Sequence, residues 1–266
     1  MKKKKNIKNL NLLKSEIKFL KKKFLDKKNY HIIIKNFEKN PKILKTKVKK
    51  IANLLGKTLP QNKSGKKIIE VKPNIGLLNK LSSQKREEKL RYHQTNLGGS
   101  IHSDGPQLKT PPKYVLMACS EEANKGGYST ITQVKKVYNF LRKEKPNYLK
   151  ILKKNFLIER RGFDYPNKNI FKKPIFEIKK NFFRFRYLRE YIETAYKIKK
   201  IKLEANRIKA LNFLDKLIQS NRFQIKFKLN QGDVIILNNN FLAHGRTGFP
   251  LNLNKEQRTI IRIWIK

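Results

Sequence analysis

Two short segments 142 positions apart constrain this chain more than anything else in it: His102-Ser103-Asp104, and Asn239-Asn240-Phe241-Leu242-Ala243-His244-Gly245-Arg246. In extended backbone, residues i and i+2 share a face. His102 and Asp104 can therefore hold one ion from a single strand while Ser103 turns away. His244 has to be carried alongside by the fold, so a mid-chain strand must pair with a late one. Two imidazoles and a carboxylate are the donor set of a mononuclear iron site with open coordination positions. The chain has only four histidines, and two of them lie here. A lone His-x-Asp is weak, because chance supplies it and a surface turn explains it. The downstream run from Gly232-Asp233-Val234 through His244-Gly245-Arg246-Thr247 strengthens it.

The hydrophobic pattern supplies candidate strands for that architecture. Tyr30-His31-Ile32-Ile33-Ile34, Ile68-Ile69-Glu70-Val71 and Tyr114 to Cys119 read as strands, Thr110-Pro111-Pro112 breaking the chain before the last. Phe223, Ile225, Phe227 and Leu229 alternate with polar residues, Gln231-Gly232-Asp233 turns, and Val234 to Leu237 follows. Pro41 opens a helix with Leu44, Val48, Ile51, Ala52 and Leu55 at helical spacing, stopped by Gly56. After the Gly126-Gly127 turn, Val134, Val137 and Leu141 mark another helix. Ile201, Ala205, Ile208, Leu211, Leu214 and Ile218 form an apolar stripe on a helix over about residues 197–219. Strands flanking a metal triad, with helices inserted, predict a mixed, β-rich fold: a double-stranded β-helix, the cupin-like jelly roll, with inserted and flanking α-helices. No linker or repeat divides the chain. We expect a lysine-rich arm or helix over residues 1–27 and a single domain over 28–266.

The last strand, Arg258-Thr259-Ile260-Ile261-Arg262-Ile263-Trp264-Ile265-Lys266, carries two arginines on one face, roughly 13 Å apart. Thr259, Ile261, Ile263 and Ile265 take the other face. Inward guanidiniums in an apolar strand are costly unless paired with anions. The plainer alternative is an edge strand with its arginines in water.

Taken together, His102-Ser103-Asp104-Gly105, Gly126-Gly127-Tyr128-Ser129-Thr130, Gly232-Asp233, His244-Gly245-Arg246-Thr247 and Arg258 to Arg262 resemble the Fe(II)/2-oxoglutarate-dependent oxygenases of the taurine dioxygenase and clavaminate synthase type. The resemblance covers roughly residues 28–266. It implies that His102, Asp104 and His244 bind Fe(II) and that Arg258 holds the distal carboxylate of 2-oxoglutarate. The family usually has threonine after Gly-Gly-x; here Ser129 stands there with Thr130 next, and either hydroxyl could serve. Arg262 matches a position that in relatives contacts an acidic group of the substrate. The implied reaction consumes O2 and 2-oxoglutarate, releases succinate and CO2, and hydroxylates or desaturates an unactivated C–H of a small anionic, amino-acid-like substrate. With Asp104 present no vacancy is left for a halide. The lack of cysteines weighs against the zinc-binding variants that hydroxylate trimethylammonium substrates.

Composition decides the rival readings. The net charge of +46 invites a nucleic-acid-binding module on a catalytically idle jelly roll. However, arginine, the better bidentate phosphate reader, is only 13 of the 65 basic residues, and the lysines are scattered. A bias towards A/T-rich codons, inflating lysine, asparagine and isoleucine together, explains the charge better. A second rival is a cupin-like metalloprotein without a cosubstrate. The single cysteine, Cys119, sits among apolar neighbours and reads as a buried strand thiol. His31 and His93 read as structural histidines, and Phe182 to Tyr187 as an amphipathic strand. No apolar stretch approaches a membrane span, so a cytoplasmic protein is expected.

Overall fold

The computed structural model describes residues 14–26, 29–80, 94–99, 101–160, 170–251 and 257–266. Strands β1 (His31–Ile34), β2 (Thr58–Leu59), β3 (Ile68–Val71) and β4 (Tyr114–Glu121) join β11 (Val234–Asn238) and β13 (Thr259–Ile265) in one antiparallel sheet, ordered β1-β11-β4-β13-β2 with β3 also on β13. A smaller sheet has the order β10 (Gln224–Phe227), β5 (Ser129–Gln133), β12 (Leu242–Arg246). His102 extends it through an isolated antiparallel bridge to His244.

The chain alternates between these sheets. It passes from β3 to the His102 segment, to β4, to β5, and later from β10 to β11, β12 and β13. Eight extended segments therefore form two facing four-membered layers, β3-β13-β4-β11 and His102-β12-β5-β10. This is the jelly roll expected from the sequence. Its first consequence is that residues 102 and 244 become direct neighbours.

Alternation sorts the side chains. Ile260 of β13, Cys119 of β4, Ile131 of β5, Ile235 of β11 and Leu242 of β12 face one another inside the barrel. Ile261, Ile263 and Ile265 face out and pack on helix α2 (Pro41–Leu55), through Leu44, Val48 and Ile51. Asn40 caps that helix, its side-chain oxygen accepting from Lys42 N and Ile43 N. Ile17 of α1 (Lys14–Leu20) and Leu25 of the π-turn that follows belong to the same cluster. Another short helix, α3, spans Ile75–Lys80.

Between β5 and β10 the chain inserts α4 (Val134–Glu144), α5 (Pro146–Leu152), the hairpins β6–β7 (Asn155–Glu159, Ile170–Pro174) and β8–β9 (Phe176–Lys179, Phe182–Phe185), α6 (Arg189–Ile198) and α7 (Ala205–Ile218). They bury one apolar cluster against the outer face of the smaller sheet, at Ile101 and Ala243. Here the expected helix over 197–219 is corrected. The backbone leaves the helix after Ile198, Lys200 adopts a left-handed φ of 53°, and α7 starts at Ala205. Ile201 and Ile208 are consequently exposed; the buried stripe is Ala210, Leu211, Leu214, Leu217 and Ile218. Ile225, expected to face inward, is also exposed on edge strand β10. Among the described residues no helix is long and apolar enough to cross a membrane.

Candidate active site

His102 and His244 face each other as a hydrogen-bonded antiparallel pair, each amide donating to the other's carbonyl at 2.9 and 2.8 Å. That register sets their rings 4.6 Å apart between centroids. Asp104, two residues on, turns to the same place. One donor atom each from His102, Asp104 and His244 lie within 4.8 Å of one another, and all three residues are buried.

The segment between the ligand candidates is pinned from several sides. The Asn239 side chain accepts from Asp104 N at 2.8 Å and donates to the carbonyls of Asp104 and Pro112 at 2.9 and 3.0 Å. It thus ties the Asp104 backbone to the chain five residues before His244. Ser103, turned away as its spacing predicts, accepts from Tyr187 N at 3.0 Å and donates its own amide to Tyr187 O at 2.9 Å. The turn after Asp104 is held by Arg186, which donates to the carbonyls of Pro106 and Leu108 at 2.7 and 2.6 Å.

The Asp104 carboxylate is asymmetric. Its Oδ1 accepts from Arg262 Nη1 at 2.8 Å. Its Oδ2 has no hydrogen-bond partner among the described residues, nor has His244 Nε2, 3.6 Å away. Burial would raise the Asp104 pKa, but the charge of Arg262, with smaller contributions from His244 and His102, outweighs it and holds the carboxyl below its ordinary value. His244 is lowered to about 3, chiefly by burial and then by His102 and Arg262, with Asp104 opposing. Near neutral pH the site therefore presents an anionic carboxylate and a neutral imidazole whose facing atoms are both desolvated acceptors or ring nitrogens. Such atoms are costly to bury without a partner. A divalent cation between them satisfies both, so the residues fit a metal.

A cavity inside the barrel adjoins His244 and is lined by Ser129, Ile131, Arg246, Arg258 and Arg262 among others. Both hydroxyl-bearing candidates line this cavity, and the register places them on different strand faces. Ser129 pairs with Arg246, on the face of Ile131 and His244, whereas Thr130 pairs with Gly245 on the opposite face. Gly127 explains how Arg258 enters. Its φ is +63°, and a Cβ there would lie 3.0 Å from Arg258 Cδ, so glycine permits both the turn and the close approach. Arg246 donates to the carbonyls of Thr95 and Asn96 and packs on the Phe249 ring.

The structure corrects one premise about Arg262. An inward guanidinium needs an anion, and the resemblance assigned that anion to the substrate. Asp104, 158 positions away, supplies the counter-charge, and Gln61 Oε1 accepts from Arg262 Nε at 2.9 Å. The unpaired-cation argument for an anionic substrate therefore fails. The remaining Nη2 has no hydrogen bond among the described residues, and Arg262 also lines an open cleft of about 680 Å³ beside β3.

Other candidates fall away from the site. Cys119 is buried and raised to about 12, chiefly by desolvation, an inert strand thiol as expected. His31 bonds the Asn29 carbonyl on β1. His93 lies outside the described residues. Phe183 and Phe185 are core residues of β9, and Arg186, just after that strand, is fully buried. Sequence reasoning missed the roles of Asn239, Gln61 and Arg186; Asn239 stood in the His244 segment and Arg186 in the Phe182 to Tyr187 run, while Gln61 stood in no motif.

Fold and site together define a jelly-roll protein with a buried two-histidine, one-carboxylate metal constellation. The chain belongs to the taurine catabolism dioxygenase TauD, TfdA family, whose model matches residues 32–264. Gamma-butyrobetaine dioxygenase of Homo sapiens is 29% identical over 154 residues, 56% of this chain and 40% of that protein. The protein of the same name from Pongo abelii matches to the same extent. The match thus spans less than half the length of these relatives. Among solved structures, an asparagine oxygenase in complex with Fe(II), 2S,3S-3-hydroxyasparagine and succinate has a TM-score of 0.74 at 14% identity, covering 95% of this chain and 78% of that one. The non-haem iron oxygenase OrfP in complex with Fe and alpha-ketoglutaric acid has a TM-score of 0.68 at 12% identity, covering 96% and 80%.

Proposed function

We propose that this protein is an Fe(II)- and 2-oxoglutarate-dependent oxygenase of a small, amino-acid-like molecule, with His102, Asp104 and His244 as the metal ligands. The observation that carries the reading is the pair of buried, unpartnered atoms, Asp104 Oδ2 and His244 Nε2, beside an arginine-lined cavity. Bound iron would supply the O2 chemistry that no side chain of the twenty can perform. The chain's own work is positioning and exclusion of water. Asn239, Ser103 and the His102–His244 bridge fix the three donors. Arg258 offers a fork suited to a carboxylate, with the Ser129 hydroxyl on the same cavity, so 2-oxoglutarate is held by its distal end. The apolar walls, Ile131 and Ile260, keep water from that pair.

The substrate class rests on the relatives. Their names point to asparagine, arginine and γ-butyrobetaine, each a small zwitterion bearing a carboxylate. In this chain Arg262, whose Nη2 makes no hydrogen bond among the described residues and which lines the cleft beside β3, is the donor we assign to that carboxylate. The γ-butyrobetaine match also reopens the trimethylammonium class that the cysteine count weighed against.

The test is succinate formation in the presence of Fe(II), 2-oxoglutarate and O2, with a library of amino acids and betaines as triggers. Wild-type protein should release succinate, and His244→Ala should not. Turnover retained in His244→Ala, or turnover independent of 2-oxoglutarate, would sink the reading in favour of another metalloprotein. Strong, salt-sensitive binding to random duplex DNA without turnover would favour the idle, basic module instead.

A further inference from the structure

Gln61 lies in the loop between β2 and β3, outside every motif of the site, yet it is only 3% exposed. Its amide makes three hydrogen bonds. Nε2 donates to the carbonyls of Arg262 and Lys67 at 2.7 and 2.9 Å, and Oε1 accepts from Arg262 Nε at 2.9 Å. The orientation is fixed by chemistry: a flipped amide would set NH2 against a guanidinium that only donates, and oxygen against two carbonyls that only accept. Gln61 therefore grips Arg262 at both its backbone and its side chain.

Arg262 in turn grips the metal carboxylate. Its Nη1 occupies Asp104 Oδ1, and its planar fork rests over the Trp264 ring, 5.1 Å from the ring centroid. Guanidinium is rigid, so fixing Nε fixes the direction of Nη1. With Oδ1 engaged, Asp104 has one oxygen, Oδ2, directed towards His244.

Resting on the metal reading above, we infer that Gln61 is a positioning residue for the metal centre, acting through Arg262 to make Asp104 a single-oxygen donor. A bond to either backbone carbonyl alone would only stitch the loop to β13. The Oε1 bond to Nε is the one with no stitching role, since it ends on a side chain. The brace engages only Nε and Nη1, and Nη2 makes no hydrogen bond among the described residues.

The test uses Co(II) as a probe on the full chain, without 2-oxoglutarate or substrate, with the affinity and visible absorption spectrum as readouts. Gln61→Leu keeps the bulk and removes all three bonds. Gln61→Glu keeps an acceptor for Nε but adds a charge that competes with Asp104 for the same guanidinium. Both should weaken Co(II) binding by about 10–100-fold, the usual effect of losing an outer partner of a ligand. Both should shift the spectrum as Asp104 gains freedom to use either oxygen. Thermal unfolding of the metal-free proteins separates this from a structural role. If Gln61→Leu does not fold, Gln61→Glu decides. Wild-type affinity and spectrum in a folded variant would overturn the inference while leaving the metal reading intact. Equal Co(II) binding by wild type and His244→Ala would overturn both.

Discussion

Two buried guanidiniums flank the Asp104 segment and hold it by different means. Arg262 reaches the carboxylate from β13, ion to ion. Arg186, following β9, reaches the carbonyls of the turn after Asp104, and no carboxylate lies within ion-pair distance of it among the described residues. The electrostatics follow. Arg186 is lowered to about 10, first by burial and then by Arg184, with Glu177 partly opposing, and it remains charged at neutral pH. The chain has only 19 acidic residues against 65 basic ones. Where backbone shape is wanted, carbonyls suffice as partners. For Arg262 the partner is a carboxylate, the one whose second oxygen faces His244.

The comparison breaks most sharply when one partner is removed. Arg262→Met strands the Asp104 anion in a site where both side chains are almost fully buried. It should destabilise the metal-free protein by about 3–5 kcal/mol, the range for uncompensated buried charges. The double variant Arg262→Met, Asp104→Leu should recover most of that loss in urea unfolding. A single-variant loss below ~1 kcal/mol would mean water already screens the pair.

A third guanidinium, Arg258, extends the comparison to an anion supplied from outside. Arg258→Lys keeps the charge and loses the fork. Binding of 2-oxoglutarate, followed by titration of the metal-loaded protein, should weaken about thirty-fold, ~2 kcal/mol. An unchanged affinity would shift the role to Arg246, whose guanidinium also lines the cavity. Arg186→Met should cost less than breaking the Arg262 pair, about 1–3 kcal/mol, because it leaves carbonyls rather than an ion unpaired. It should act on stability while leaving the affinity for 2-oxoglutarate near wild type. A loss as large as that of Arg262→Met would show that charge, not shape, dominates there too.

How much of this was legible in the sequence follows from the range of each interaction. The jelly roll was readable because the strands alternate and because His102 and His244 demanded adjacency. The two faces of β13 were readable for the same reason, since Ile261, Ile263 and Ile265 have period two. Arg262 was correctly placed inward, but its partner was not readable. Asp104 had already been assigned to a metal, and nothing local says that a second lone pair will be used by a residue 158 positions away. Gln61 carried no signal at all, because a single polar residue between strands has no period; Arg186 stood in an alternating run, but alternation does not say which carbonyls a buried arginine will hold. The helix over 197–219 was overextended for a related reason: isoleucines at helical spacing continue the stripe, while Lys199-Lys200, which breaks it, looks like any exposed pair.

The smallest effect is a pH dependence, and it distinguishes the neutral half of the site from the charged half. His244 has a folded pKa of about 3, against 6.5 for the ordinary group. Between those values the unfolded chain takes up a proton that the folded one refuses, so stability falls with falling pH. The contribution is fully present above pH 6.5 and declines steadily as pH drops towards 3. Asp104, lowered from 3.8, acts in the same sense, its contribution present above 3.8 and lost below its folded value. Urea midpoints of chelator-treated protein should therefore fall from about pH 6.5 to about pH 5.5, above the range in which ordinary carboxylates take up protons. His244→Gln, which cannot titrate, should flatten that slope, and the difference between the two curves isolates the imidazole from every other group. Parallel curves would mean that His244 is protonated in the folded, metal-free protein, with Asp104 as its ion-pair partner.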